Sequence, residues 1–208
     1  MERVVFGKRG AGKRQYAGHC RRFAKESVYY SQEDARWRNL VYSNHRNKTQ
    51  TIGTSGCGPT CMAMVISSMT EEAVLPHAAA EYAVNNGFRT KDNGTAWTFF
   101  GKIAASYGLK CKQTGSWEET KEALLQGGRM AIASMATGHF TSGGHYIVLW
   151  NMTESDGGRW IDVLDPNADN TRYGKDDLVD EGVKDDGKVK AKESLFLREA
   201  RQYWIFSR

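Results

Sequence analysis

The sequence predicts an α+β domain, with a helical N-terminal part and one buried central helix packed on a mostly antiparallel sheet. Three observations predict it. Helical spacing dominates from Cys57 to Gln126. Short apolar runs separated by Gly-rich and Asp-Pro turn signals dominate from Arg129 onward. Between Cys61 and Ile66 the chain is apolar almost all round, which places that helix inside the protein. A chain of 208 residues with 40% hydrophobic residues is long enough for one ordinary core.

Residues 1–27 read as a basic arm and residues 28–208 as the folded domain. The arm holds Arg3, Lys8, Arg9, Lys13, Arg14, Arg21, Arg22 and Lys25 against Glu2 and Glu26, while the whole chain carries only +5. Such an arm attracts nucleic acid, anionic lipid or anionic wall polymer, or it is a solvated end. Within it, Gly7-Lys8-Arg9-Gly10-Ala11-Gly12-Lys13-Arg14 nearly matches a phosphate-binding loop. Arg14 stands where a hydroxyl would hold magnesium, and no βα repeats follow, so no nucleotide cofactor is expected. No segment is apolar enough to span a bilayer. The positive N-terminus lacks an apolar stretch behind it, so no secretory signal is expected. Cys20, Cys57, Cys61 and Cys111 show no pairing pattern, which argues against a disulfide scaffold.

The elements follow in order. Val28 to Trp37 is a short extended piece leading into polar residues and an aromatic. Residues 38–53 form a polar loop before the central helix, placed where a lid over a cleft would hang. Thr54 to Val65 is a glycine-rich turn running into that helix: Pro59 suits a first helical turn, and Gly56 and Gly58 permit close backbone approach. Glu71–Asn86 and Thr95–Tyr107 carry further helical patterns, ended by Gly87 and Gly108. Leu109–Gln113 is a short strand. Trp117–Gln126 is a helix with Ser116 as N-cap and Glu119 placed to complete a capping box. Arg129–Ala136, His145–Asn151, Arg159–Leu164 and Gln202–Phe206 are strands. Residues 174–194 are charged and Gly-punctuated, as in a surface excursion.

Cys57 stands at the first turn of the buried helix, where the macrodipole and free backbone N–H groups favour thiolate over thiol and can bind an oxyanion. It is either an activated nucleophile or a small buried residue in a tight turn. A nucleophile needs a base and a third group to orient that base. Of His19, His45, His77, His139 and His145, the last stands at the mouth of a strongly apolar strand, and His139 lies in the less constrained loop before it. Asp165 ends the next strand. Antiparallel pairing of those two strands would bring Asp165 beside His145. Otherwise His145 is a polar strand entrance and Asp165 a turn residue before Pro166.

Four stretches in this order carry a resemblance: Gly56-Cys57-Gly58-Pro59-Thr60 with Ala63-Met64, Gly144-His145-Tyr146-Ile147-Val148-Leu149, Val163-Leu164-Asp165-Pro166, and the entry segment Tyr30-Ser31-Gln32-Glu33-Asp34-Ala35-Arg36-Trp37. Together they resemble the papain-like cysteine peptidases related to bacteriocin-leader (double-glycine) processing enzymes, of the free-standing phage or bacterial type. The resemblance runs from about Val28 to Phe206. It implies a papain-like fold with Cys57 as nucleophile, His145 as general base and later acid, Asp165 as orienting carboxylate and Gln32 as oxyanion donor. Gln50, nearer the cysteine in sequence, is the reserve donor. Cys61, where the family more often has a small hydroxyl residue, reads as a buried small side chain.

The resemblance implies a peptide substrate, no cofactor and no metal. Its first reading is a peptidoglycan hydrolase, an endolysin-like enzyme made in the cytoplasm and released to or delivered at the cell wall, with the basic arm on an anionic wall polymer. The alternative is a protease cutting leader peptides after paired glycines. Two readings of other classes are a zinc module built from Cys57, Cys61, His139 and His145, and a non-catalytic peptide-binding module on the same fold.

Overall fold

A computed structural model gives the fold of residues 27–92, 94–155 and 157–208. The basic arm and its glycine-rich stretch lie outside the described residues. The helical part opens with one turn, α1 (Ile52–Ser55), whose N-cap Thr51 and third residue Thr54 exchange side-chain and backbone hydrogen bonds. It leads through Gly56 into α2 (Cys57–Met69), in which every residue from Gly58 to Met69 is buried. Met62, Met64, Val65 and Ile66 are fully excluded from solvent, and each contributes about 1.5–3 kcal/mol of transfer free energy. Then come α3 (Pro76–Asn85), α4 (Thr98–Ser106), β1 (Lys110–Thr114), α5 (Trp117–Gln126), β2 (Met130–Met135), β3 (His145–Ser155) and β4 (Gly158–Leu164). The chain continues with β5 (Val179–Asp180), β6 (Lys188–Lys192), α6 (Glu193–Glu199) and β7 (Ala200–Ser207).

Among the described residues the strands form one seven-stranded sheet in the order β1-β7-β2-β3-β4-β6-β5. Every pairing is antiparallel. Successive side chains of a strand point to opposite faces, and here both faces are covered. Met130, Ile132, Tyr146, Val148, Trp204 and Phe206 pack with α2, α3 and α4. Ala131, Ala133, Ile147, Leu149, Tyr203 and Ile205 pack on the other face with α5 and α6. That double burial explains why β2, β3 and β7 read as apolar runs and not as a clean alternation.

The α+β reading with a central buried helix is what the structure shows, and four local readings are corrected. The helix expected from Glu71 begins only at Pro76, because the residue before a proline is pushed out of the α region and Leu75 is extended. The stretch 174–194 runs over the surface only as far as Asp186: beyond it β6 adds to the sheet with Val189 and Ala191 buried and its lysines outward, and α6 starts at Glu193. Charge in a five-residue strand hides a period of two. The polar loop read over residues 38–53 is tied down and ends early: Asn44 Nδ2 donates to Arg89 O (2.7 Å) and Gln50 Nε2 to Lys91 O (2.8 Å), and Ile52 already opens α1. Ser116 does cap α5, accepting from Glu119 N at 3.3 Å. The reciprocal half is missing, because Ser116 N donates to Thr114 Oγ1 and Glu119 pairs with Lys112 at 2.8 Å.

Candidate active site

The first turn of α2 is set by two close approaches. A Cβ at Gly56 would lie 2.6 Å from Ile52 O, and one at Gly58 would lie 2.7 Å from Thr95 Oγ1. Only glycine fits at either place, so the chain can turn from α1 straight into α2 with Cys57 at the junction. Gly56 supplies no capping side chain, which leaves the N-terminal N–H groups of α2 unclaimed by a side-chain cap.

Cys57 is half-buried. Burial alone would push its thiol up, but the hydrogen bond and charge of His145, with the backbone N–H groups of Tyr146 and Gly58, bring it below the ordinary thiol range. His145 opens β3. Its Nε2 donates to Asp165 Oδ1 at 2.7 Å, which leaves Nδ1 for the sulfur of Cys57, and its side chain is only 9% exposed. Burial alone would push the imidazole down; the Asp165 carboxylate, then Cys57, raise it to about 10. The two shifts have the signs of a thiolate–imidazolium pair.

Asp165 follows β4, whose Leu164 pairs with Val148 of β3. The pairing therefore places the end of β4 beside the start of β3. The carboxylate is completely buried and receives three further donors: Asn167 N at 2.9 Å, Asn170 Nδ2 at 3.0 Å and Tyr173 OH at 2.9 Å. Burial and the charge of Asp165 push the Tyr173 phenol well above its usual range, so it stays a donor. Tyr29 OH donates to Asp165 O at 2.9 Å. Asn170, Tyr173 and Tyr29 carry no spacing signal, and the sequence reading missed them.

Gln32 is 7% exposed. Its backbone N donates to Pro166 O at 2.8 Å, and its Nε2 donates to Gly53 O at 2.6 Å. The side chain thus lies between the Asp165–Pro166 turn and the helical turn that precedes Cys57, with one amide hydrogen left over. Gln50 turns instead to Lys91 O. Trp37 fixes the entry segment by donating from Nε1 to Ser31 O at 2.8 Å.

The four zinc candidates do not converge. Cys61 is buried and its Sγ donates to Tyr146 O at 3.2 Å, and burial pushes that thiol well above its usual range. His139 is not the loose loop residue expected: Nδ1 donates to Glu199 Oε1 at 2.7 Å and Nε2 to Asp176 Oδ2 at 3.0 Å. Burial opposes its protonation, but those carboxylates outweigh it and raise the ring. Cys111 is pushed up by burial to about 11. Among the described cysteines, Cys57 alone is shifted toward thiolate.

Comparison with known proteins gives the following. The model of the Peptidase_C39 like family matches residues 25–184. The chain is similar to a double glycine motif protease from an AMS/PCAT transporter, solved in complex with the leader peptide, at 19% identity and a TM-score of 0.49, covering 88% of this chain and 91% of that one. It is similar to the peptidase domain of Streptococcus ComA, a bifunctional ABC transporter of a quorum-sensing pathway, at 15% identity and a TM-score of 0.47, covering 74% and 92%. A third similar structure is UfSP from C. elegans, at 15% identity and a TM-score of 0.41, covering 73% of this chain and 29% of that one. No curated protein sequence matches. With a family match over most of its length, the chain belongs to the Peptidase_C39-like family and is a papain-like cysteine peptidase.

Proposed function

We propose that the peptidase works through Cys57, His145, Asp165 and Gln32, and that its substrate is the peptide part of peptidoglycan. One observation carries the assignment of roles: His145 is hydrogen-bonded through Nε2 to a fully buried Asp165 and stands beside Cys57, whose thiol it lowers. The thiolate of Cys57 attacks the amide carbonyl. The oxyanion is met by the Cys57 backbone N–H and the free amide hydrogen of Gln32. The imidazolium of His145 gives its proton to the leaving amine as the C–N bond breaks, leaving a thioester. Neutral His145 then takes a proton from water, which attacks the thioester carbonyl; the acid product leaves and Cys57 returns as thiolate beside imidazolium. Asp165 fixes the ring through Nε2 and stays ionised throughout.

The wall reading is supported by the charge of the first 25 residues, eight basic side chains against one acidic, which suits an anionic polymer. The catalytic unit of this reading spans residues 28–208 and the arm residues 1–27. The competing reading, a leader peptide cut after paired glycines, is an outcome of the same test.

The test has two stages. Cys57, Cys61 and Cys111 are alkylated with iodoacetamide across pH and read by mass spectrometry, in wild type and His145→Ala. Fast reaction of Cys57 alone at mildly acidic pH, lost without His145, is expected. Equal rates at Cys57 and Cys111 would remove the nucleophile. Purified peptidoglycan and double-glycine peptides are then offered in parallel. Release of new amino termini from the wall is expected, and cleavage of the peptide alone would transfer the enzyme to leader processing. Removing residues 1–26 should weaken binding to wall polymer and leave the alkylation of Cys57 unchanged.

A further inference from the structure

Arg89 is buried to 2% exposure, yet it makes no salt bridge among the described residues. Its donors go to uncharged acceptors: Nε to Tyr42 O at 2.8 Å, Nη1 to Gly94 O at 2.6 Å and Nη2 to Ser55 Oγ at 3.4 Å. The guanidinium also lies over the Tyr42 ring, 4.7 Å from its centroid. Taking a cation out of water carries a penalty of several kcal/mol, which an uncharged fork of carbonyls offsets only in part. A fold seldom keeps such a charge without an anion nearby.

The surroundings identify the anion. Ser55 ends α1, two residues before Cys57. Thr95, bridged to Arg89 across a short hairpin, is the residue against which Gly58 packs. Thr95 is held from both sides, by Tyr42 OH at 2.7 Å and by Tyr146 OH, which donates to its carbonyl at 3.1 Å. With Cys57 as thiolate, His145 as imidazolium and Asp165 ionised, the site carries one excess negative charge. The remaining ionisable groups facing it are Tyr42, Tyr146 and Cys61, which burial keeps neutral, and Asp92, an exposed carboxylate whose charge favours the Arg89 cation less than that of Cys57 does. Arg89 is thus a buried cation held against Ser55, in the turn just before Cys57, and its interaction with Cys57 is favourable.

We propose that Arg89 is a positioning residue of this peptidase: it locks the approach to α2 through Ser55, Tyr42 and Gly94, and its charge favours the anionic sulfur and the anionic adduct at Cys57. The proposal rests on Cys57 being the nucleophile.

The experiment compares wild type, Arg89→Gln and Arg89→Lys. It reads the pH midpoint of Cys57 alkylation by iodoacetamide, with thermal unfolding as the check on folding. Both variants should unfold at lower temperature. Arg89→Gln should move the acidic midpoint upward by about one pH unit, the effect of losing one nearby opposite charge, so alkylation below the midpoint slows about tenfold. Arg89→Lys should stay within a few tenths of a unit of wild type. An unchanged midpoint in folded Arg89→Gln would overturn the electrostatic role, and equal shifts in the two variants would show that shape and not charge is at work. If Arg89→Gln does not fold, citrulline at position 89 keeps the planar donors and loses only the charge, and gives the same two outcomes. A wild-type midpoint no lower than that of Cys111 overturns instead the assignment of the nucleophile, and the proposal with it.

Discussion

At the scale of single residues, the site is built backwards from Asp165. Four donors fill its two oxygens, so it can turn toward nothing else, and a fixed carboxylate fixes the tautomer and tilt of His145. Cys57→Ala and His145→Ala should therefore abolish cleavage. Gln32→Ala should lose on the order of 10²–10³ in rate, the value of one oxyanion donor. Asp165→Asn should keep a trace with the ring poorly oriented, as kcat on a soluble peptide would show. The pH profile has a defined sign. Cys57 is lowered and His145 raised to about 10, so kcat/KM should rise with pH through a midpoint below that of an ordinary thiol. It should fall only at strongly alkaline pH, where the imidazolium, the proposed acid for the leaving amine, is lost. An acidic limb at the usual thiol pKa would contradict the ion pair. That Cys57, His145 and Asp165 come together was legible in sequence because each sits on a backbone signal: a Gly-Pro helix start, a strand mouth, a turn after a strand. Asn170 and Tyr173 were not, because nothing in their spacing says that the segment after Pro166 folds back onto the carboxylate.

At the scale of elements, the decisive feature is how tightly the start of α2 is wedged. Gly58 faces Thr95, and Thr95 cannot retreat, since Tyr42 and Tyr146 hold its hydroxyl and its carbonyl. Gly58→Ala should therefore force the helix start outward. It should destabilise the protein by about 1–3 kcal/mol, as overpacking does, and reduce kcat more than that loss of folded protein explains. Thermal unfolding and turnover measured on one preparation separate the two effects. A variant with wild-type turnover would show that Thr95 yields. The sequence marked Gly58 as a place of close approach but could not name the neighbour, because Thr95 lies across a loop from it. The same non-locality hid the 88–95 hairpin as the anchor of residues 38–53. Polar composition says that such a loop is solvated, and only the folded chain shows Asn44, Gln50 and Tyr42 held by that hairpin.

At the scale of the whole molecule, strand order is what sequence reading reaches last. The antiparallel character of the sheet followed from short strands and tight turns, yet no local pattern places β7 between β1 and β2. That position gives β7 a partner on each side. Tyr203–Ser207 pairs with Lys110–Thr114 on one side, and Ala200–Phe206 pairs with Met130–Met135 on the other. Its side chains serve both faces: Trp204 and Phe206 pack with α2 and α4, Tyr203 and Ile205 with α5. Trp204 also holds a ring contact with Phe100 at 4.4 Å. Each buried side chain of this size contributes about 1.5–3 kcal/mol, and removing the strand would strip two neighbours of their backbone partners as well. Against a total stability of about 5–15 kcal/mol for a folded domain, that loss is decisive. A chain ending at Glu199 should not fold: it should show no cooperative thermal transition, and all its cysteines should be alkylated at the rate of an unfolded thiol. A truncated chain that still protected Cys61 would show that the helices close over the sheet without β7, and that the rest of the core facing α2 is sufficient by itself.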